Sequence, residues 1–211
     1  MPARAARPRR STRAYVGLGA NVGDAPATLA ATIRALGVLP GARLRGVSRL
    51  YLTRPVGVED QPAFHNAAVA LDVPAGPDPA SGALALLAAL KGLERAFGRR
   101  ARRRWGPREL DLDLLVFGRH ELHIPRPAAA RSLDPARSGV QWLDVPHAAA
   151  RERLFVLAPL ADLAPGLRPP GWHATVERAR RQRETVEGAD AVGPVATWDA
   201  RAREWRAAPG T

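Results

Sequence analysis

The chain has no cysteine among its 211 residues, which excludes disulfides and thiolate metal sites, so any metal held here is held by oxygen or nitrogen. Aromatic residues make up only 5%. Lysine is all but missing, because Lys91 is the one lysine among 32 basic residues. No stretch approaches roughly eighteen consecutive apolar residues, which excludes a hydrophobic membrane-spanning helix. Residues 1–13 are rich in Pro and Arg and lack both an apolar segment and a small-residue cleavage site, so no secretory leader is expected and the cytoplasm is the default location.

Positive charge is abundant, with a formal net charge of +12. It is carried almost wholly by arginine, alongside heavy alanine and proline usage, a bias that a GC-rich coding sequence produces whatever the protein does. The charge implies attraction to anions without choosing between nucleic acid and nucleotide. The length suits one well-buried domain with appendages.

Residues 98–118 carry the strongest signal. Arg99, Arg100, Arg102, Arg103, Arg104 and Arg108 form a basic loop that runs through Trp105-Gly106-Pro107 into Leu110, Asp111, Leu112, Asp113, Leu114. This alternation has the period of a strand, so the leucines face a core while Asp111 and Asp113 share the other face, roughly 7 Å apart. Two carboxylates so placed repel unless a cation lies between them. Oxygen-only ligands suit magnesium, which takes one or two carboxylates plus waters and substrate phosphates. Such a pair can hold two ions about 3.5 to 4 Å apart, as in two-metal phosphoryl chemistry. The alternative is a half-buried strand whose solvent face is acidic, although Asp is depleted in strands. Arginines beside a metal-binding pair share one natural ligand, a polyphosphate.

Taken in order, residues 1–12 carry Arg4, Arg7, Arg9 and Arg10 without periodicity and read as a disordered basic arm. A first strand at 13–19 leads into Gly19-Ala20-Asn21-Val22-Gly23-Asp24; Asp24 and Pro26 then start a helix to about residue 38. Residues 41–53 read as a second strand, 53–62 as a polar loop and 64–73 as a third strand, with Asn66 an amide among apolar neighbours that needs hydrogen-bond partners. A helix at about 80–97 ends at Gly98. Strand, helix, strand, strand, helix, strand is the ferredoxin-like βαββαβ order, an α+β fold with a mainly antiparallel sheet, helices on one face and the other open to a ligand. Residues 119–144 read as an extended surface loop with a short strand candidate at 122–124. Residues 151–160 suggest a short helix stopped by prolines, 174–187 a basic helix, 192–198 a last strand and 200–211 a frayed, flexible tail.

Four blocks carry a resemblance to a known family: Gly-Ala-Asn-Val-Gly-Asp at 19–24, Phe-His-Asn-Ala-Ala-Val at 64–69, Arg-Trp-Gly-Pro-Arg-Glu-Leu-Asp-Leu-Asp at 104–113, and Val-Pro-His at 145–147 with Arg153-Leu-Phe155 onward to Pro165. Over about residues 14–170 the chain resembles the 6-hydroxymethyl-7,8-dihydropterin pyrophosphokinases of folate biosynthesis. The resemblance implies a magnesium-dependent diphosphotransferase that moves pyrophosphate from ATP to the pterin hydroxymethyl group and releases AMP. It implies that Asp111 and Asp113 bind two magnesium ions, with Arg108, and Arg99 or a neighbour in the arginine run, as mobile cations on the phosphates. Gly19, Asn21, Thr53, Val56, Phe64, Asn66 and Phe155 are then expected around the pterin. Leu87, Lys91, Glu94, Arg104, Trp105, Leu114, His147 and Arg153 are expected around the nucleotide.

On this reading residues 13–199 form one catalytic domain with 119–144 inserted, acting as a monomer without nucleic-acid or membrane partners. The loops at 54–63 and 99–108 are expected to order when nucleotide binds. The chain departs from the family pattern in the length of 119–144, in Ala148 after His147, and in a basic loop one residue shorter than in some relatives. Two rival readings are an arginine-rich nucleic-acid binder, with Trp105 stacking on a base, and another magnesium-dependent phosphoryl transferase or nuclease. The first leaves Asp111 and Asp113 unexplained.

Overall fold

A computed structural model describes residues 10–54, 60–99, 106–131 and 139–207. Strand β1 (Ser11–Ala20) is followed by helix α1 (Ala25–Leu36), strands β2 (Arg43–Val47), β3 (Leu50–Thr53) and β4 (Phe64–Pro74), helix α2 (Pro79–Ala96) and strand β5 (Asp111–Phe117). Then come strands β6 (Leu122–Pro125) and β7 (Trp142–Val145), helices α3 (Leu154–Leu163) and α4 (Val176–Glu187), and strands β8 (Val192–Asp199) and β9 (Glu204–Ala207).

Local chemistry starts and stops the helices. Asp24 caps α1 by accepting from the Ala27 N–H, and Asp78 caps α2 by accepting from the Ser81 N–H, with proline in the first turn of each. Gly98, at φ 82°, takes the left-handed conformation just past the end of α2.

The main sheet runs β5-β1-β4-β3-β8-β9, with β2 also paired to β4, and every pairing within it is antiparallel. If β2 and β3 are taken as one interrupted strand, the βαββαβ strands lie in the order fourth, first, third, second, as the ferredoxin-like reading requires. The interruption corrects the single strand expected over 41–53. It falls at Ser48, whose hydroxyl accepts from the Ala68 N–H and donates to the Arg49 carbonyl, so the break leaves its backbone groups satisfied.

Period-2 alternation separates the faces of the sheet. Ala14, Val16 and Leu18 of β1, Val69 and Leu71 of β4, and Leu112 and Leu114 of β5 join Leu29, Ile33, Leu87 and Leu90 of α1 and α2 in the main core. The opposite face is shared. Toward one end of the strands Tyr15, Ala70, Leu115 and Val116 are covered by α3 and α4, while the other end remains open. The strand order alone predicts that whole face open. A register shift at Tyr15/Val16 produces a bulge in β5, and it puts Leu115 and Val116 into the α3–α4 cluster while Phe117 returns to the main core.

Two other expectations need correction, and a third gains detail. The short strand expected at 122–124 within 119–144 is present as β6, and it pairs with β7 as a second sheet, with Leu122, Ile124, Leu143 and Val145 turned toward the main core. Helix α3 runs through Pro159, although the ring removes one backbone hydrogen bond, because Leu157 and Leu160 on either side are fully buried. The tail is not all frayed: Glu204–Ala207 pairs with β8, and Trp205 packs edge-on to Trp198 with ring centroids 5.0 Å apart.

Candidate active site

The open half of the second face forms a cleft of about 400 Å³. Its floor is three strands wide. On β1, Gly19 stands between Asn66 of β4 and Asp111 of β5, and Gly17 stands between Ala68 and Asp113. Directly paired residues project to the same face, so the two glycines leave a bare furrow between the amide and the carboxylates. A Cβ on Gly19 would come within 3.0 Å of Asn66 Oδ1.

One end of the cleft is neutral. Asn66 and Thr53 are buried, and Asn66 Nδ2 donates to Thr53 Oγ1 at 2.8 Å, which orients the amide. Phe64 and Phe155 add aromatic walls, and the Arg153 guanidinium lies 5.7 Å from the centroid of the Phe155 ring.

The other end is charged. Lys91 and Glu94, one turn apart on α2, are only 6% and 3% exposed. One Glu94 carboxylate oxygen accepts from Lys91 Nζ, from the Leu112 N–H at 2.8 Å and from Arg99 Nη1 at 2.6 Å. Lys91 also donates to the Leu112 carbonyl at 2.8 Å, and Arg99 Nη1 donates to Asp111 Oδ1 at 2.6 Å. Helix α2 is therefore clamped to β5 by charges that orient Arg99 onto the carboxylate pair.

Burial, joined by the like charge of Asp111, pushes the Glu94 carboxyl up more than Lys91 and Arg99 pull it down. Burial also opposes charge on Arg99, but Asp111 and Glu94 outweigh it and keep the guanidinium protonated. For Asp111, burial would raise the pKa; Arg99, then Lys91 and Arg108, more than offset this and hold the carboxyl at about 2. It is ionised at any physiological pH and half-open to the cleft.

Among the described residues no group of three or more His, Asp or Glu converges as a complete metal cage. The donor set is two carboxylates two residues apart on one face, which suits a hard cation that completes its shell with waters and substrate phosphates.

Of the expected site residues, Gly19, Thr53, Phe64, Asn66, Lys91, Arg99, Arg108, Asp111, Asp113, His147, Arg153 and Phe155 all line this cleft. His147 Nδ1 accepts from the Ala149 N–H at 3.3 Å, so a neutral ring carries its proton on Nε2. Other residues support rather than line it. Glu94 positions Lys91 and Arg99. Asn21 is a strut: its amide donates to the Pro62 carbonyl at 2.9 Å and accepts from the Arg108 N–H at 2.7 Å, tying together the segments that flank the cleft.

The side chains of Leu87 and Leu114 do not line the cleft. Both are 2% exposed within the main core, because they occupy inward positions of α2 and β5, and Leu115 reaches the cleft instead. Val56, Arg104 and Trp105 lie outside the described residues. Arg99, the one described member of the run 99–104, is ion-paired inside the cleft, which favours a phosphate site over a surface track for nucleic acid.

The sequence reading missed Arg126, Trp142 and Asp144, which line the cleft from the β6–β7 hairpin. A signal was available. Trp142-Leu143-Asp144-Val145 alternates with period 2 directly before His147, so Trp142 and Asp144 share one strand face.

Solved structures with this fold include that of Plasmodium falciparum HPPK-DHPS, wild type with pteroate, which aligns with 98% of the chain at a TM-score of 0.68 and 12% identity. At that identity the likeness concerns the fold alone, and the chain spans about half of that protein, 49%. In sequence the chain is 43% identical over 162 residues to the 2-amino-4-hydroxy-6-hydroxymethyldihydropteridine pyrophosphokinase of Pseudomonas aeruginosa, covering 76% of this chain and 86% of that one. It is 40% identical over 156 residues to the Methylorubrum extorquens enzyme of the same name, covering 74% and 85%. Residues 15–165, most of the chain and all of the residues that form the cleft floor, match the 7,8-dihydro-6-hydroxymethylpterin-pyrophosphokinase family, and the protein belongs to that family.

Proposed function

We propose that the protein transfers a pyrophosphoryl group from ATP to 6-hydroxymethyl-7,8-dihydropterin, giving the pterin diphosphate and AMP in folate biosynthesis. The observation that carries this reading is the floor of the cleft. A neutral amide pocket and an ionised carboxylate pair face each other across one strand whose side chains are missing at Gly17 and Gly19. A flat heterocycle on one side and a triphosphate on the other meet over that furrow.

In the reaction the pterin hydroxyl oxygen forms a bond to the β-phosphorus. The bond from that phosphorus to the oxygen bridging the α-phosphate breaks, its electron pair leaves with AMP, and the alcohol proton is released. This needs in-line positioning and neutralised charge more than a strong base. Asn66, oriented by Thr53, reads the donors and acceptors on the pterin edge, and Phe64 and Phe155 hold its faces. Lys91, His147 and Arg153 flank the nucleotide. Arg99, already placed on Asp111 by Glu94, can pass from carboxylate to phosphate, and Arg108 supplies a second guanidinium.

Asp111 and Asp113 would hold magnesium, two ions in this reading, which would supply positive charge against the negative charge that develops on the phosphates. In this reading the protein acts as a monomer. We place it in the cytoplasm, where ATP is supplied.

The test is to incubate the protein with ATP, magnesium and the reduced hydroxymethylpterin and to resolve the nucleotides. AMP formed in step with pterin diphosphate, and abolished by EDTA, is the expected result. ADP as product, or no turnover, would overturn the reading.

A further inference from the structure

Beyond the β5 edge the cleft is walled by side chains of the β6–β7 hairpin that lie outside the four family blocks. Pairing of His123 with Asp144 and of Pro125 with Trp142 puts these residues on the outward face of the hairpin, while Leu122, Ile124, Leu143 and Val145 anchor the inward one. The Trp142 indole stacks on His123 with ring centroids 4.3 Å apart and planes 7° from parallel. His123 Nδ1 is in turn 2.6 Å from Asp144 Oδ1. Arg126 Nε donates to the Trp142 carbonyl at 2.8 Å, which fixes the strand from behind. Trp142 nevertheless remains 44% exposed and lines the cleft with Arg126 and Asp144. A large ring braced on one face and wet on the other loses little further freedom when a flat ligand covers it.

The order of the strands says which ligand that is. From β3 and β4, with Thr53 and Asn66, the floor passes the bare furrow of β1 and reaches Asp111 and Asp113 on β5; the hairpin comes next, its chain tied to β5 by the His147 N–H donating to the Leu115 carbonyl at 2.9 Å. A triphosphate seated on the carboxylates, with the pterin on the Asn66 side, has its nucleoside on the hairpin side.

We propose that Trp142, braced by His123, is the stacking platform for the nucleotide base. The proposal rests on the pyrophosphokinase reading. It adds to that reading a binding determinant from the inserted segment.

The experiment compares the full-length wild type with Trp142→Ala and Trp142→Phe by calorimetric titration in the presence of magnesium. The ligands are the α,β-methylene analogue of ATP, which cannot be cleaved at the reacting bond, and inorganic tripolyphosphate, which has the phosphates without a base. Trp142→Ala is expected to weaken the ATP analogue about tenfold while leaving tripolyphosphate and pterin binding unchanged, and Trp142→Phe is expected to recover most of the loss. Unchanged affinity for the analogue, or an equal loss for tripolyphosphate, would overturn the proposal. Wild type that forms no AMP from ATP and pterin would defeat the pyrophosphokinase reading itself. An active wild type whose Trp142→Ala variant binds the analogue normally defeats only the stacking platform.

Discussion

The two ends of the cleft stand on the same sheet and are built from opposite materials. At the Asn66 end the polar groups are neutral, buried and already hydrogen-bonded to each other, so the pocket is shaped before any ligand arrives. At the Asp111 end two cations and two carboxylates share one oxygen of Glu94 and one of Asp111, and the arrangement can be repartitioned without leaving a charge unpaired. A heterocycle with fixed donors and acceptors calls for the first kind of site. A polyanion that arrives, reacts and leaves in two pieces calls for the second.

If this contrast is sound, substitutions at one end should leave the other untouched. The largest effect is expected from Asp113→Ala, which should lower kcat for AMP formation by about a hundredfold or more, because it removes charge stabilisation needed only as phosphate is transferred. Its pterin affinity should be normal and its melting temperature no lower, since the change relieves carboxylate repulsion; a turnover near wild type would refute the metal assignment. Glu94→Gln should come next. Taking the charge out of the buried Lys91–Glu94–Arg99 cluster leaves two cations without their shared partner, a cost of about 3 kcal/mol, read as a melting temperature lower by roughly 6–12 °C. Unaltered melting would mean that Lys91 and Arg99 do not depend on Glu94.

Asn66→Ala tests the neutral end, and pterin affinity should fall by about tenfold, the cost of a lost buried hydrogen-bonding group, with binding of the ATP analogue preserved. A parallel loss of nucleotide binding would break the comparison. The smallest effect concerns acid. The Asp111 carboxyl is lowered from 3.8 to about 2, so its contribution to stability is complete above pH 3.8 and is lost as pH falls through about 2. Denaturant melts of Asp111→Asn should therefore fall less steeply with pH over that window than those of wild type. Glu177, held at about 2 by Arg180 with Arg181 assisting and against the effect of burial, remains in the variant and accounts for part of the slope that is left.

Much of the cleft was legible because its signals are local. Leu110 to Leu114 alternate, and alternation alone assigns Asp111 and Asp113 to the face opposite the core. Asp24, Pro26, Asp78 and Pro79 mark two helix starts through chemistry confined to three or four residues. The failures have different causes. The β6–β7 pair and the passage of α3 through Pro159 depend on partners distant in sequence, which no short window contains, whereas β9 pairs with the adjacent β8 across a short turn and its strand is masked by the polar composition of the tail. The resemblance places Leu87 and Leu114 near a nucleotide, while their inward positions on α2 and β5 put their side chains in the core.

The sequence by itself determined which residues have the chemistry: a carboxylate pair at strand spacing, arginines beside it, an amide in an apolar strand, and glycines on β1. Tertiary structure alone decided that Gly17 and Gly19 stand between Asp113, Asp111 and Asn66, that Glu94 holds Arg99 on Asp111, and that Trp142 faces the same cleft. The reason is register. Side-chain direction along one strand follows from its period, but which side chains meet across strands is set by a pairing in which a slip of one residue turns every side chain to the other face.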